Sequence, residues 1–442
     1  MPTGLTSVEK LLIAIFIVFA AIFSVIPIHN QIHKMHKGED GTKDYPLWYD
    51  TGRRELHNIS PYYLDSKKEF PFMYPPGAAG LLAPLSIIGK LPLVIFLVLL
   101  NSAAWATCIL GPIYLLTGRL RGQPPILYWL PSLICCLYIW DTYLEGQMAF
   151  CLSACIVAML VFLKRGNPLR AGFMLALAAG FKAFPILALP YLIYRRHWKA
   201  LVSTIIWLMI FLFVIPACFR KPAGAWDDLK FWSKGILASN TEDKISPYGR
   251  GERSYTWQNG SVLSVTHRWF RHVKADTDTA RDDTPLPAVY INIADLPLKS
   301  VNHIAQGILL LLGIGYIAVT PRERNRTALT NAAEGAMLMI LIILASPMSF
   351  TYNNSWLMCG IAVVLYFIKN QPTDSPRKRL AVWWLTLCLL PLILSISTGI
   401  YWWRYIRTMG NTVLADVMLL SLLGWLCLQW SQKDKALPVR SL

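Results

Sequence analysis

Ten uninterrupted apolar runs dominate this chain, most of them close to the roughly 20 helical residues that cross about 30 Å of hydrocarbon. They occupy residues 11–28, 91–116, 125–140, 148–163, 201–219, 302–319, 331–347, 355–368, 381–398 and 412–430. A backbone in lipid has no water to satisfy its N–H and C=O groups, so runs of this kind fold as helices packed on helices. With 55% of the 442 residues apolar and only 15% charged, a water-soluble enzyme is excluded. The pattern predicts an all-α polytopic membrane protein of about ten full spans.

The formal net charge of +17 would suit a nucleic-acid binder if it were spread over a surface. It is not spread. With the N-terminus in the cytoplasm, one side collects Lys10, Arg119, Arg121, Lys164, Arg165, Arg170, Arg195, Arg196, Lys199, Arg322, Arg324, Arg326, Lys369, Arg377, Lys378, Arg379, Lys433, Lys435 and Arg440. The same segments carry only Glu9, Glu323, Asp374 and Asp434 as acids. Short loops with this bias stay in the cytoplasm. Both termini are therefore expected inside a plasma membrane, no nucleic-acid partner is expected, and the basic charge reads as topology.

Two long outward loops, residues 29–77 and 220–300, hold 17 of the 25 acidic residues. Polar loops of such length between closely connected spans tend to carry function, so the chemistry is expected there. One transmembrane domain is read over residues 1–430, followed by a cytoplasmic tail at 431–442. The first run lacks a small-residue cleavage site and is read as a retained helix. All nine cysteines lie in or at the edge of apolar runs, which indicates packing rather than a disulfide framework or a metal site.

The stretch 171–194 has basic clusters at both ends and is too short to cross twice. Its centre, Gly180-Phe181-Lys182-Ala183-Phe184-Pro185, contains a helix-breaking proline, so two short helices forming a membrane hairpin are expected with Lys182 at the tip. Lys182 reads either as a phosphate contact, or as the partner of a carboxylate such as Glu145, or as a side chain snorkelling to an interface.

In the first loop a helix over about 45–56 would lie along the interface with Trp48, Tyr49 and Leu56 toward lipid. Asp44 would then stand at a helix start, where an N-cap role competes with a chemical one. His29, His33 and His36 share one helical face but lack a clear acidic fourth ligand, so no metal site is expected there. Asp227-Asp228 and Glu39-Asp40 leave a divalent-ion requirement open; no other cofactor is expected. In the second loop Trp226, Phe231, Trp232, Tyr248, Tyr255, Trp257, Trp269 and Phe270 suit either sugar stacking or a small packed subdomain, and 276–287 is the expected flexible segment.

The order of Asp44 with an aromatic after it, Trp48-Tyr49, Ser60-Pro61-Tyr62 and Phe72-x-Tyr74-Pro75-Pro76 resembles the start of glycosyltransferase family 87, membrane enzymes of the GT-C fold. The likeness continues through Glu145-Gly146-Gln147, Ala171-Gly172, Lys182-Ala183-Phe184-Pro185, Gln258-Asn259-Gly260-Ser261 with Arg268 following, and Ser346-Pro347. The resemblance implies a polyprenyl-phosphate sugar donor, a lipid or glycan acceptor outside the cytoplasm, and inversion at the anomeric carbon. It makes Asp44 the general base. The leaving phosphate calls for fixed positive charge, for which Lys182, Arg53 and Arg268 are the candidates. Gln147, Gln258 and Asn259 offer amides to sugar hydroxyls, and Trp48, Tyr49, Tyr74, Trp257 and Tyr352 complete the candidate sugar or acceptor contacts. Where family members often show a histidine after Ser346-Pro347, this chain reads Met348-Ser349-Phe350-Thr351-Tyr352-Asn353. Tyr352 or Asn353 can replace its hydrogen bonds but not its titration near neutral pH. The rival reading is a transporter or flippase for a lipid-linked or anionic substrate, built on the membrane-depth charges Lys182, Glu334 and Asp416.

Overall fold

The computed structural model describes residues 5–38, 43–63, 72–237, 255–275, 288–397 and 405–430. Glu39-Asp40, Tyr248, the segment 276–287 and the tail 431–442 lie outside the described residues. The described chain is helical; its one β-bridge pairs Asn259 with Phe350. The chain folds as two compact units, one formed by residues 1–111 and 134–252, the other by 112–133 and 253–442.

The first unit opens with α1 (Ser7–His36), started by a capping box in which Thr6 and Glu9 bond each other's backbone N–H. Its 30 residues run about 45 Å, well past the hydrocarbon thickness, so residues 29–36 are helix rather than loop. A short α2 (Asp44–Leu56) packs on α3 (Pro76–Ser86), where Gly52 lies so close that a Cβ would stand 2.7 Å from the Leu82 carbonyl oxygen. The long α4 (Lys90–Thr117) follows. The expected span 125–140 breaks at Cys135 into α5 (Pro125–Ile134), which apart from its last residue belongs to the second unit, and α6 (Cys136–Leu144) of the first, each only about 15 Å long. The next helix, α7 (Ala149–Lys164), is bent 120° from α6.

Next come α8 (Pro168–Phe181), a 3₁₀ turn at Phe184–Ala188 and α9 (Leu189–Tyr194), so the apolar stretch does break at Lys182-Ala183. The first unit ends in α10 (Trp198–Met209), a π segment at Ile210–Val214 and α11 (Ile215–Phe231). Lys221, ahead of Pro222, kinks α11 by adopting φ 58°. The segment 220–300, expected as a loop, therefore begins as helix.

In the second unit, α12 (Val262–Phe270) packs on α13 (Leu298–Val319) and α14 (Ala328–Ala345). A 3₁₀ turn at Thr351–Trp356 leads into α15 (Leu357–Asn370), then α16 (Pro376–Ser397) and α17 (Asn411–Trp430), which rests on α14, α15 and α16. Among the described residues seven helices are long and apolar enough to cross a membrane, or eight if the bent α6 and α7 count as one span. This is a polytopic all-α membrane protein, in which the expected span 125–140 folds as two short helices and the 171–194 stretch as two helices either side of a 3₁₀ turn.

The buried face of α2 is Tyr45, Trp48, Thr51, Gly52 and Glu55, a spacing of three to four residues. The indole of Trp48 is 1% exposed, so the expected lipid-facing placement of that ring is corrected. Glu55 is 0% exposed, and neither carboxylate oxygen has a hydrogen-bond partner. Burial, reinforced by Asp228 and opposed by Arg220, raises its pKa from 4.5 to about 8. Asp228 is itself held by the Arg220 guanidinium at 2.8 Å and by the Ser60 hydroxyl.

Between pH 4.5 and 8 the folded state keeps the Glu55 proton that the unfolded chain releases, so this group's contribution to stability declines as pH rises through that window. Glu55→Gln is expected to flatten that decline and to raise the unfolding midpoint at pH 8 by a few degrees. Thermal unfolding of both proteins in detergent from pH 5 to 9 checks it; parallel curves would count against a protonated Glu55.

Candidate functional site

The turn between α6 and α7, Glu145-Gly146-Gln147, receives the first turn of α2. Gly146 sits at φ +68°, in the left-handed region, and a Cβ there would meet the Tyr45 ring at 2.9 Å. Three bonds from α2 converge on this corner. The Asp44 N–H donates to the Glu145 carbonyl (3.3 Å), the Trp48 indole N–H to the Gly146 carbonyl (2.8 Å), and the Tyr45 hydroxyl to the Tyr143 carbonyl (2.8 Å). The ammonium of Lys43 pairs with the Glu145 carboxylate at 3.0 Å while its backbone takes φ 58°. Lys43, not Asp44, is the N-cap, so Asp44 is the first helical residue and its carboxylate does not cap the helix.

That carboxylate instead faces two side-chain donors. The Gln147 amide Nε2 donates to Asp44 Oδ2 at 2.5 Å, and the Tyr74 hydroxyl donates to the same oxygen at 3.2 Å. On its other side Gln147 Oε1 accepts from Lys182 Nζ at 3.3 Å. An amide has one donating and one accepting end, so the anion on one side and the cation on the other fix its orientation. Lys182 caps the C-terminus of α8 with extended backbone and holds its ammonium 5.3 Å from the Tyr74 ring centroid and 5.8 Å from that of Phe184. Gln147 is nearly buried, and its own carbonyl accepts from Asn101 at 2.9 Å. The result is a half-buried carboxylate and a half-buried ammonium joined through one amide, with an aromatic ring touching both.

Of the other expected contacts in this unit, Trp48 packs beneath the cluster, 4.7 Å from the Tyr74 ring centroid. Tyr49 lies under the Lys90 ammonium at 5.4 Å. Arg53 is exposed on α2. Nine residues after Asp44 is two and a half turns, so Arg53 sits about 13 Å further along and on the opposite face, apart from the carboxylate. His29 and His33 stack at 6.4 Å on exposed positions of α1. Among the described residues no three His, Cys, Asp or Glu side chains gather in a metal-holding group.

In the second unit Arg268 is 0% exposed; its Nε and Nη1 bond to the surrounding chain, while its Nη2 is buried without a hydrogen-bond partner. Its Nη1 donates to the carbonyls of Thr256 (2.7 Å), Asn259 (3.0 Å) and Tyr255 (3.2 Å) and to the Ser264 hydroxyl (2.8 Å), and its Nε to the Thr408 carbonyl (2.7 Å). Asn259 is equally buried and engaged. Its Nδ2 donates to the Pro347 carbonyl at 2.9 Å, while its Oδ1 accepts from the N–H groups of Ser261 and Ser349. Asn259 thus has both ends of its amide on backbone groups, and Arg268 has Nε and Nη1 engaged with Nη2 left over. Tyr352 is buried beside the Phe350 ring.

Trp257 and Gln258 do line a cleft, together with Thr351, Arg407, Asn411 and Thr412. The Arg407 guanidinium lies 4.8 Å over the Trp257 ring, which covers one face that sugar stacking would use. Arg407, Asn411 and Thr412 belong to no motif legible in the sequence; only the fold brings them to Trp257.

Gly146→Ala is expected to lower stability by about 1–2 kcal/mol from the left-handed backbone alone, with more from the clash on Tyr45. Unfolding in detergent, with Gly166→Ala as a left-handed glycine whose Cβ meets nothing within 4 Å, separates the two contributions.

Among proteins with curated functions none matches this chain. A model of glycosyltransferase family 87 matches residues 72–347, well over half of the chain and including Tyr74, Gln147 and Lys182. The chain belongs to glycosyltransferase family 87.

Proposed function

We propose that this membrane glycosyltransferase moves a sugar from a polyprenyl-phosphate donor to the hydroxyl of a lipid or glycan acceptor outside the cytoplasm, with inversion and with Asp44 as general base. The observation that carries the reading is the amide of Gln147, which holds the Asp44 carboxylate at one end and the Lys182 ammonium at the other. Inverting transfer needs those two charges and little else. The acceptor oxygen attacks the anomeric carbon opposite the phosphate while a carboxylate takes its proton; the bond from that carbon to the phosphate oxygen breaks, and its electron pair leaves on the phosphate. A polyprenyl phosphate departs as an anion without being protonated, so a nearby ammonium stabilises it as charge develops.

Lys182 suits that task because aromatic rings flank its ammonium and α8 and α9 on either side are apolar, the surroundings a prenyl chain would share. Tyr74 and Gln147 keep the carboxylate turned toward the α6–α7 corner and, as donors to Oδ2, stabilise its charge. The charge bias of the short loops supports an orientation with both termini in the cytoplasm and Asp44 outside. The transport alternative is weakened at Glu334, whose carboxylate is neutralised by Arg326 at 3.3 Å.

Asp44→Asn is expected to leave the protein folded and to reduce transfer by at least about a hundredfold, as loss of a positioned base does. The assay supplies a panel of radiolabelled polyprenyl-phosphate sugars to the purified, lipid-reconstituted protein; undiminished transfer by the variant would remove Asp44 from the chemistry. Lys182→Ala is expected to raise the KM for the donor and lower kcat together. An unchanged donor response would confine this lysine to structure.

A further inference from the structure

Glu55 is a buried ionisable group that the proposed transfer leaves unused. It follows Asp44 on α2 by three helical turns to within about 20°, so the two stand on one side of the helix with about 16 Å of helix between them. Glu55 is 0% exposed, and neither of its oxygens has a hydrogen-bond partner. The Thr51 hydroxyl, one turn earlier, is buried and unmatched as well. An ionised carboxylate can only accept hydrogen bonds, whereas a neutral carboxyl brings a donor of its own.

The helices packed on α2 are α3 and α11. No side chain of α3 is charged. From α11 come Asp228 and Arg220, and from the chain just after α2 comes Tyr62, within electrostatic reach of both carboxyls. These are the charged and titratable groups that face Glu55 among the described residues. Arg220 is committed elsewhere. Its Nε donates to Asp228 at 2.8 Å, and its Nη1 donates to the Asn58 backbone carbonyl and, at 3.1 Å, to the Asn58 side-chain oxygen. Asp228 and Arg220 thus form a neutral pair, and an ionised Glu55 adds a buried anion that no cation answers. Such a charge either keeps its proton or leaves its site. Burial secures the first course up to about pH 8, and the second opens above it.

Two connections link this end of α2 to Asp44. Gly52 lies hard against α3, where a Cβ would stand 2.7 Å from the Leu82 carbonyl oxygen and 2.9 Å from the Ser86 Cβ, so the contact is a pivot between Glu55 and the head of the helix. The second runs through hydroxyls: Tyr62 donates to the Tyr74 carbonyl at 2.9 Å, and Tyr74 donates to Asp44 Oδ2 at 3.2 Å. We propose that Glu55 is a positioning residue for transfer: in its neutral form it seats the last turn of α2 on α11, and its ionisation lifts that turn and, about the pivot at Gly52, moves Asp44 away from the Gln147 corner. The consequence for transfer rests on the reading of Asp44 as base; the movement itself does not.

The full-length protein carrying 5-fluorotryptophan is followed by fluorine NMR without substrate, with the Trp48 resonance assigned by its loss in Trp48→Phe. Trp48 is 1% exposed and holds the Gly146 carbonyl, so it reports the head of α2. Its resonance is expected to shift between about pH 6.5 and about pH 9.5 with a midpoint of about 8. Glu55→Gln, which stays neutral, is expected to keep throughout the position that the parent shows at the acid end. Asp228→Asn removes the neighbouring anion and is expected to bring the midpoint below about pH 7. With a midpoint of about 8 the neutral fraction falls from about nine-tenths at pH 7 to about one-tenth at pH 9. Over that interval kcat is therefore expected to fall about tenfold in the parent and less than about twofold in Glu55→Gln. A side chain that only fills space on α2 leaves this profile unmoved. Should Glu55→Gln fail to fold, the midpoint of Asp228→Asn decides. A Trp48 resonance that ignores pH, that titrates alike in Glu55→Gln, or whose midpoint stays put in folded Asp228→Asn would overturn the proposal, as would a level kcat while the resonance titrates. Because the resonance is read without turnover, its failure is distinct from retained transfer by Asp44→Asn, which tests the base.

Discussion

The amide of Gln147, held between a carboxylate and an ammonium, is the contact on which the candidate chemistry of this protein depends. It is there because the chain reverses at Gly146, a position with left-handed backbone and no room for a side chain beside Tyr45. The same reversal exposes the carbonyls of Glu145 and Gly146 to the first turn of α2, which binds them through the Asp44 N–H and the Trp48 indole. Local geometry at one glycine thus sets where Asp44 stands. Lys43 pairs with Glu145 next door, so the charges at this corner are matched one to one. A helix without a capping side chain would otherwise begin loosely.

The second unit is organised by a different device. Arg268 and Asn259 satisfy backbone carbonyls and N–H groups that no regular helix or strand covers. Irregular backbone is expensive beside a membrane unless polar side chains complete its hydrogen bonds. Both residues hold irregular backbone in place, and Arg268 does so with one buried nitrogen still unmatched.

Much of this is legible in the sequence, and the exceptions share physical causes. Uninterrupted apolar runs announce membrane helices, and the break at Lys182 follows from Pro185. The ends of the runs are less informative, because a helix continues as long as its backbone can, which is how α1 reaches His36 and α11 passes position 220. Trp48 is misplaced by its sequence context because an indole at an interface is a sound default, and here its N–H finds the Gly146 carbonyl instead. The spacing of Tyr45, Trp48, Thr51 and Glu55 carries the buried face, but a glutamate in that series obscures it. Arg268 and Asn259 resist assignment from composition, since nothing in a linear sequence says whether a polar side chain will meet a ligand or a carbonyl. Arg407 and Asn411 are invisible because the walls they face, at 257–260 and 349–354, are far away along the chain.

The Gln147 amide also gives the site a polarity that its residue inventory does not contain. Exchanging Asp44 and Lys182 for one another would preserve every charge and, with the amide rotated half a turn, keep both of its ends matched. The transposed arrangement would nevertheless hold its cation at the head of α2 and its anion beside the rings of Tyr74 and Phe184, where the ammonium now lies.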